Sequence, residues 1–187
     1  GRVMIVVFAI LWSGLQAGLT KAQVVSFGGC SSHTVKHPFN VPEYMGTWYQ
    51  EAILGGGFFQ GEGSCVTAMY SLNLDTGVVN VYNTQEPGNS FTSSGINGTA
   101  VVKDPSKNEG ILLVTLPVPI IKEITAEYLV LDTDYYSWAV VWSCFSVGPL
   151  VHAESAWILI RDRKATEEER YKRDQEINSC LIKEGIP

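Results

Sequence analysis

The chain has 187 residues, which is enough for a single domain with a sizeable hydrophobic core. Hydrophobic residues make up 45% of the chain and charged residues 17%, a composition that excludes an intrinsically disordered protein. The formal net charge of −6 makes nucleic acid and anionic membrane surfaces poor partners.

Residues 1–22 have the pattern of a secretory signal peptide. Arg2 precedes an unbroken apolar run at 3–12, and small and polar residues follow it. The run is too short to cross a bilayer, which takes about 20 residues, so a membrane anchor is the less favoured alternative. We predict cleavage after Ala22, with Ala17 as the second choice, and secretion of the mature chain. Cleavage removes two positive charges, Arg2 and Lys21, and changes the net charge from −6 to −8.

Eight short runs of apolar and β-branched residues follow, separated by turn sequences such as "LDTG" and "QEPGN". The predicted strands are 47–54, 65–74, 78–84, 91–102, 110–116, 123–132, 137–145 and 155–161. No helical pattern interrupts them. The pattern therefore predicts an all-β antiparallel barrel or sandwich and excludes an alternating βαβ fold.

The strand predicted at 137–145 is apolar on both faces. By strand alternation, one face carries Trp138, Val140 and Trp142, and the other carries Ala139, Val141 and Phe145. One face belongs to the interior of the β-structure, so the other needs a cover.

The C-terminal segment at 165–184 is helical in pattern and supplies that cover. Thr166 and Glu169 have the spacing of a capping box. Ile177, Cys180 and Leu181 share one helical face, which we expect to pack on the outside of the barrel. Residues 23–187 are thus predicted to form one domain, with an irregular arm at 23–45, a barrel at 46–162 and the helix.

Catalytic and metal-binding constellations are weak in this sequence. The three histidines, His33, His37 and His152, lack the thiolate or carboxylate neighbours of a metal site. There is no GxSxG motif. The glycine-rich stretch "LGGGFFQGEG" lacks the GK[ST] of a phosphate loop and is interpreted as a loop at the mouth of the barrel. We predict no enzyme activity, no metal and no required cofactor.

The four cysteines are Cys30, Cys65, Cys144 and Cys180. An even number in a secreted protein indicates two disulfides, and three pairings are open. No CxxC pair exists, which argues against zinc or redox roles. Asn97 begins the sequon "NGT" and is the predicted glycosylation site, with an unused sequon as the alternative.

The five Trp, eight Tyr and seven Phe residues exceed what the surface of a small β-domain needs. They either fill the core or line a pocket. An eight-stranded barrel is just wide enough to hold one small ligand, and a mostly apolar pocket with a few polar groups is the usual form of a small-molecule site.

Three segments resemble the conserved blocks of the lipocalin family, in the family's order. The first, "NVPEYMGTWYQEA", carries Gly46 and Trp48. The second, "LDTDYYSWAVVWSC", carries the Thr-Asp-Tyr run at 133–135, and the third, "SAWILIRD", carries Arg161. The likeness covers nearly the whole mature chain and is closest to the apolipoprotein D branch with its invertebrate members.

The resemblance implies an eight-stranded antiparallel up-and-down β-barrel with the helix packed outside it. It implies that Trp48 plugs the closed end and that Arg161 lies across its indole ring, a cation–π contact of about 1–2 kcal/mol. The aromatic residues that it suggests as ligand contacts are Tyr44, Tyr70, Tyr128 and Trp157, to which we add Phe58 and Phe59 of the glycine-rich loop.

The resemblance also implies the disulfides Cys30–Cys144 and Cys65–Cys180. The first would close a long loop and stabilise the fold by about 4 kcal/mol in the chain-entropy model. The second departs from the family pattern, because Cys180 lies within the predicted helix and not beyond it. Either the bond has moved onto the helix, which we favour, or the C-terminus is missing and Cys65 has lost its partner.

The function that the resemblance implies is that of a secreted carrier of one small hydrophobic ligand. The candidate ligands are a fatty acid, sterol, retinoid, carotenoid or bilin, so the ligand class includes pigments. One alternative is enzymatic or antioxidant activity on lipids. Another is docking on lipoprotein particles or membranes through the apolar loops "LPVPI" and "SVGPLV".

Overall fold

The computed structural model describes residues 25–55, 63–87, 94–118, 122–147 and 150–186. The predicted signal peptide and the predicted ligand contacts Phe58 and Phe59 lie outside these ranges. The strands are β1 (Val25–Phe27), β2 (Gly46–Gly55), β3 (Gly63–Leu72), β4 (Val79–Pro87), β5 (Ser94–Val102), β6 (Ile111–Val118), β7 (Lys122–Thr133), β8 (Trp138–Val147) and β9 (Val151–Ile160). The helices are α1 (Val41–Tyr44) and α2 (Glu167–Glu184).

Strands β2 to β9 form a closed antiparallel barrel. Each strand pairs with the next along the chain, and β9 pairs with both β8 and β2. The predicted eight-stranded up-and-down barrel with a C-terminal helix is therefore confirmed, and each predicted strand corresponds to one of β2 to β9. Among the described residues, no helix is both long and apolar enough to cross a bilayer.

The N-terminal arm contains more regular structure than its sequence indicates. Strand β1 pairs with β9 at 151–153, beyond the end of the β2 pairing, and so uses a stretch of β9 edge that β2 leaves free. Helix α1 begins after Asn40, whose side chain accepts a hydrogen bond from the backbone of Glu43 at 3.4 Å. The prediction of an irregular arm is wrong at these two short elements.

The two faces of β8 meet two different hydrophobic clusters, as its alternation predicts. Ala139 and Val141 belong to the cluster inside the barrel, together with Trp48. Trp138 and Trp142 belong to the cluster between the barrel wall and α2.

Helix α2 covers the outer face of β8. Thr166 and Glu169 form the predicted capping box, and Ile177 and Cys180 are buried against the barrel. The indole nitrogen of Trp138 donates to a carboxylate oxygen of Glu176 at 2.8 Å, which adds a polar contact to this apolar interface.

The disulfide Cys30–Cys144 is present and confirms the predicted bond. It joins the arm to β8 across 114 residues of sequence. Backbone hydrogen bonds continue the attachment, because Lys36 donates to the carbonyl of Val130 at 2.8 Å and accepts from Gly110 at 2.9 Å. The arm is thus bonded to the barrel along its length.

The predicted Cys65–Cys180 disulfide is wrong, because Cys180 is a free and buried thiol. Helix α2 packs on β8, so Cys180 lies in the apolar interface there. Cys65 belongs to β3, which lies three strands away from β8 around the closed sheet. The helix that places Cys180 in the interface also holds it away from β3.

Asn97, the sequon residue, lies exposed on β5 opposite Tyr82 of β4. An exposed position is accessible to a glycan. Glycosylation at Asn97 stays a prediction.

Candidate functional site

Trp48 and Arg161 close one end of the barrel. Trp48 is 0% exposed, and the guanidinium carbon of Arg161 lies 3.7 Å from the centre of its ring. The indole nitrogen of Trp48 donates to the carbonyl of Tyr44 at 2.9 Å. Burial lowers the pKa of Arg161, but a guanidinium stays charged in proteins. The stack is therefore a cation–π contact between a buried ring and a partly buried guanidinium.

Arg161 also satisfies the carbonyls that end α1. Its guanidinium donates to Met45 at 2.7 Å, to Tyr44 at 3.1 Å, to Glu43 at 3.3 Å and to Thr47 at 2.9 Å. A cation at a helix C-terminus is favourable because the last carbonyls have no partner within the helix. Arg161 thereby joins α1 to the end of β9.

Gly46 makes this approach of Arg161 to the backbone sterically feasible. Its φ is +98°, and an added Cβ would lie 3.0 Å from Nη1 of Arg161. A side chain at this position would be strained in the backbone and would press on the guanidinium.

The turn between β7 and β8 supports Arg161 from the other side. The Asp134 carboxylate accepts the backbone N–H groups of Ser137 at 2.8 Å and Trp138 at 3.0 Å. Thr133 donates its hydroxyl to the Trp138 carbonyl at 2.6 Å. The carbonyl of Tyr135 accepts from Nε of Arg161 at 3.2 Å. The three residues of the second block are thus turn-forming residues that position a carbonyl for Arg161.

Inside the barrel, above this closed end, lies a cavity of about 390 Å³. Its volume falls within the range of roughly 300–1,000 Å³ of small-molecule pockets. Most of its wall is aliphatic, and includes Val79, Val81, Ala100, Leu112, Val114 and Leu159. A wall of this kind favours apolar ligands, because the transfer of apolar surface from water into an apolar environment is favourable.

Three of the predicted aromatic residues meet through their hydroxyls. Tyr44 comes from α1, Tyr70 from β3 and Tyr128 from β7, and all three line the cavity. The Tyr128 oxygen is 2.9 Å from the Tyr44 oxygen and 3.2 Å from the Tyr70 oxygen. We call these residues the tyrosine cluster. Because β3 and β7 lie on opposite sides of the closed sheet, the cluster crosses the barrel interior.

The tyrosine cluster is uncharged over the physiological pH range. Burial raises the pKa of Tyr44, Tyr70 and Tyr128 above the ordinary value of a phenol. For Tyr44 the nearby Tyr70 adds to this increase in pKa. The cluster therefore offers neutral hydroxyl groups to whatever occupies the cavity.

Trp157 also lines the cavity, from β9. Its position agrees with the strand parity that relates it to Arg161. As ligand contacts, Trp157 and the tyrosine cluster remain a prediction.

Sequence reasoning missed several residues of the cavity wall. Phe145 shares its inward face with Val141, and that alternation was a usable signal for it. Asn83 of β4 also lines the cavity, and its side-chain oxygen is buried without a hydrogen-bond partner among the described residues. No sequence signal indicated Asn83, because a single polar residue in a strand usually faces solvent.

The histidines have structural contacts. Nδ1 of His152 bonds to the carbonyl of Gly28 at 2.9 Å, and the ring of His33 packs on Trp142 at 4.8 Å between centroids. Within the described ranges, no three His, Cys, Asp or Glu side chains are grouped so that they could hold a metal ion.

The family model of the lipocalin-like domain matches residues 39–179, from the arm through most of α2. The chain belongs to the lipocalin family. This lipocalin is 33% identical over 164 residues to apolipoprotein D of Macaca fascicularis, a match that covers 86% of this chain and 80% of that protein. It is 30% identical over 139 residues to the Lazarillo protein of Schistocerca americana, which covers 74% of this chain and 63% of Lazarillo.

A solved structure with the same architecture is insecticyanin from the tobacco hornworm Manduca sexta. The TM-score is 0.70 at 19% identity, and the match covers 87% of this chain and 84% of that one. At this identity the likeness shows the lipocalin fold alone. The contents of the cavity have to be argued from the residues that line it.

Proposed function

We propose that this lipocalin is a secreted carrier that holds one small hydrophobic molecule in its barrel cavity and catalyses no reaction. The observation that carries the proposal is the cavity of about 390 Å³ with a mostly aliphatic wall. Transfer of apolar ligand area from water into such a wall contributes about 25 cal/mol per Å² before the ordering costs of binding. Its relationship to apolipoprotein D supports the same role.

Secretion is supported by the disulfide between Cys30 and Cys144, because such bonds persist in oxidising compartments. Enzymatic or antioxidant activity lacks similar support. Cys180 is a free thiol, but it lies between α2 and the outside of the barrel and not in the cavity.

The first experiment is to identify what the native protein carries. The protein would be purified from its secreting cells without detergent, extracted with organic solvent and analysed by mass spectrometry. We expect one lipophilic species at about one molecule per chain. An absorption spectrum before extraction separates a carotenoid or bilin from a colourless lipid.

A second experiment blocks the cavity by mutation. Ala126→Trp adds bulk to the inner wall of β7, whereas Thr125→Trp places the same side chain on the exposed outer face one residue earlier. We expect Ala126→Trp to abolish binding of retinol and Thr125→Trp to leave it unchanged. Equal binding by both variants, with retained thermal stability, would contradict a cavity site.

A neutral lipid surface is the second candidate partner. Phe27 is 91% exposed and Leu150 is 70% exposed, and the two lie together because Gly28 donates to the Leu150 carbonyl at 3.0 Å. They lie at the end of β9 opposite Arg161. Exposed apolar side chains at this end suit brief contact with zwitterionic lipid, where the acidic net charge brings no repulsion. Flotation with phosphatidylcholine vesicles tests this, with the double variant Phe27→Ser and Leu150→Ser expected to lose the vesicle-bound fraction.

A further inference from the structure

The tyrosine cluster has one hydroxyl hydrogen that no bond within the cluster uses. Three hydroxyls contribute three hydrogens, and two hydrogen bonds join them, each with Tyr128 as one partner. Whichever way the two bonds run, one hydrogen remains at Tyr44, Tyr70 or Tyr128. Among the described residues, no other group bonds to these hydroxyls. The cluster therefore presents one available hydrogen-bond donor on the cavity wall.

Asn83 is a second polar group in the cavity that the fold leaves without a partner. Its side-chain oxygen is buried and has no hydrogen bond from any described residue. The residue lies two positions along β4 from Val81, which is paired with Tyr70 of the cluster. A buried amide oxygen without a partner carries a desolvation cost, because it has lost its hydrogen bonds to water. A ligand hydroxyl that donates to Asn83 would remove that cost.

The cavity offers hydrogen bonds, but the described part of its lining offers no positive side chain. Of the described residues that line it, none is a lysine, an arginine or a histidine. Glu127 contributes its backbone to the wall, since its carboxylate is paired with Lys103 and exposed to solvent. An anionic head group would therefore be buried in the cavity without a counter-ion, which is costly.

Arg161 does not supply the missing charge. Its guanidinium is stacked on Trp48, and its N–H groups are used by the carbonyls of α1, Thr47 and Tyr135. Its field favours negative charge at Tyr44 and Tyr70, but burial opposes that charge more strongly. The pKa of both phenols is therefore raised. A phenolate and a carboxylate meet the same surroundings here, so both are disfavoured.

We propose that the carried ligand is a neutral oxygenated lipid whose buried end bears a hydroxyl or carbonyl oxygen bonded by the tyrosine cluster, with Asn83 as the second polar contact. This inference rests on the proposed carrier function. It favours keto and hydroxy lipids, such as sterols, retinoid alcohols and oxygenated carotenoids. It disfavours ligands held by a buried carboxylate, such as free fatty acids and bilins.

The test uses three compounds with one carbon skeleton: retinol, its dehydrated hydrocarbon anhydroretinol, and retinoic acid. Binding to the full mature chain would be followed at pH 7.4 by quenching of protein fluorescence. We expect retinol to bind about 10-fold or more tightly than retinoic acid, because the acid has to bury its charge. We expect it to bind about 5-fold more tightly than anhydroretinol, because the hydrocarbon leaves the cluster and Asn83 unpaired.

Two variants test whether the preference for retinol over anhydroretinol comes from the tyrosine cluster and Asn83. The triple variant Tyr44→Phe, Tyr70→Phe and Tyr128→Phe removes every hydroxyl of the cluster, whereas any single change leaves at least one hydroxyl hydrogen free. The triple variant should weaken retinol binding about 5- to 10-fold while changing anhydroretinol binding less than about 2-fold. Asn83→Leu should act in the same direction on retinol. The matched control is Tyr82→Phe, which removes a hydroxyl from a tyrosine on the outer face of β4 and should change neither affinity.

The outcomes separate the two proposals. If anhydroretinol and retinol both fail to bind the wild-type chain and extracts of the native protein carry no lipid, the carrier function is wrong. If the hydrocarbon binds but retinoic acid binds as tightly as retinol, the carrier function stands and the neutral-ligand inference is overturned. Equal retinol affinity of wild type and the triple Tyr→Phe variant overturns the assignment to the cluster.

Discussion

The guanidinium of Arg161 lies 3.7 Å above the indole ring of Trp48 and at the same time bonds the carbonyls at the end of α1. One side chain from the end of β9 thus closes the barrel and holds the arm residues that lead into β2. The ligand cavity begins on the other side of Trp48. Residues of the closed end should therefore affect stability, whereas residues of the cavity should affect affinity.

Arg161→Lys should destabilise the fold by about 2–4 kcal/mol, because lysine keeps the charge but loses the planar stack and most of the hydrogen bonds. Urea denaturation measures the loss. Retinol affinity of the folded variant should equal that of the wild type. Unchanged stability would contradict the role assigned to Arg161, and weaker binding at full stability would place Arg161 in the ligand site.

Gly46→Ala should destabilise the fold by about 2–4 kcal/mol, since the new Cβ is strained at φ +98° and meets Arg161 at 3.0 Å. Gly77→Ala is the matched control, because Gly77 has φ +70° and nothing within 4 Å of an added Cβ. It should lose only the backbone contribution of about 1–2 kcal/mol. Thermal denaturation of both variants gives the difference, which should vanish when Gly46→Ala is combined with Arg161→Ala.

Trp157→Ala should weaken ligand binding about 10- to 100-fold, because it removes a large apolar surface from the cavity wall. Trp142→Ala is its counterpart on the outside of the barrel, where Trp142 packs against His33 and α2. That variant should lose about 3–5 kcal/mol of stability and keep its affinity. A retinol titration and a denaturation curve, run on both variants, test whether Trp157 belongs to the ligand site and Trp142 to the outer interface. The opposite pattern would show that the cavity is not the binding site.

Cys180 should react slowly with iodoacetamide in the native protein. Burial, with help from Asp132 and Glu184, raises the pKa of this thiol from 9.0 to about 11. At pH 8 about 0.1% of it is therefore thiolate, compared with about 10% for an ordinary thiol of pKa 9. Mass spectrometry should find Cys180 unmodified until denaturant is added.

The same pKa shift links Cys180 to stability. The pKa of the Cys180 thiol is higher in the folded state than in the unfolded state. Its contribution to the free energy of unfolding is therefore fully present below pH 9 and is lost as the pH rises toward about 11. Cys180→Ala should remove this part of the loss of stability at alkaline pH. A thiol that alkylates at the ordinary rate in the native chain would contradict its burial in the α2 interface.

The sequence alone determined the architecture, because strand alternation and turn residues are local properties of the chain. The two faces of β8, the capping box at Thr166 and the closed-end pair Trp48 and Arg161 were all accessible from pattern and family resemblance. The short elements β1 and α1 were not. β1 depends on a free stretch of β9 edge, and α1 is completed by the guanidinium of Arg161, which follows the last strand and is remote in sequence.

Only the tertiary structure decided what faces the ligand cavity and how. The meeting of Tyr44, Tyr70 and Tyr128 requires three elements to converge, and the barrel brings β3 and β7 across from each other. Asn83 looks like an ordinary strand residue until closure of the barrel buries its side-chain oxygen. Cys180 pairs with no cysteine because helix packing directs it against β8. Each of these depends on distances between segments remote in sequence, and such distances are set only when the whole barrel closes.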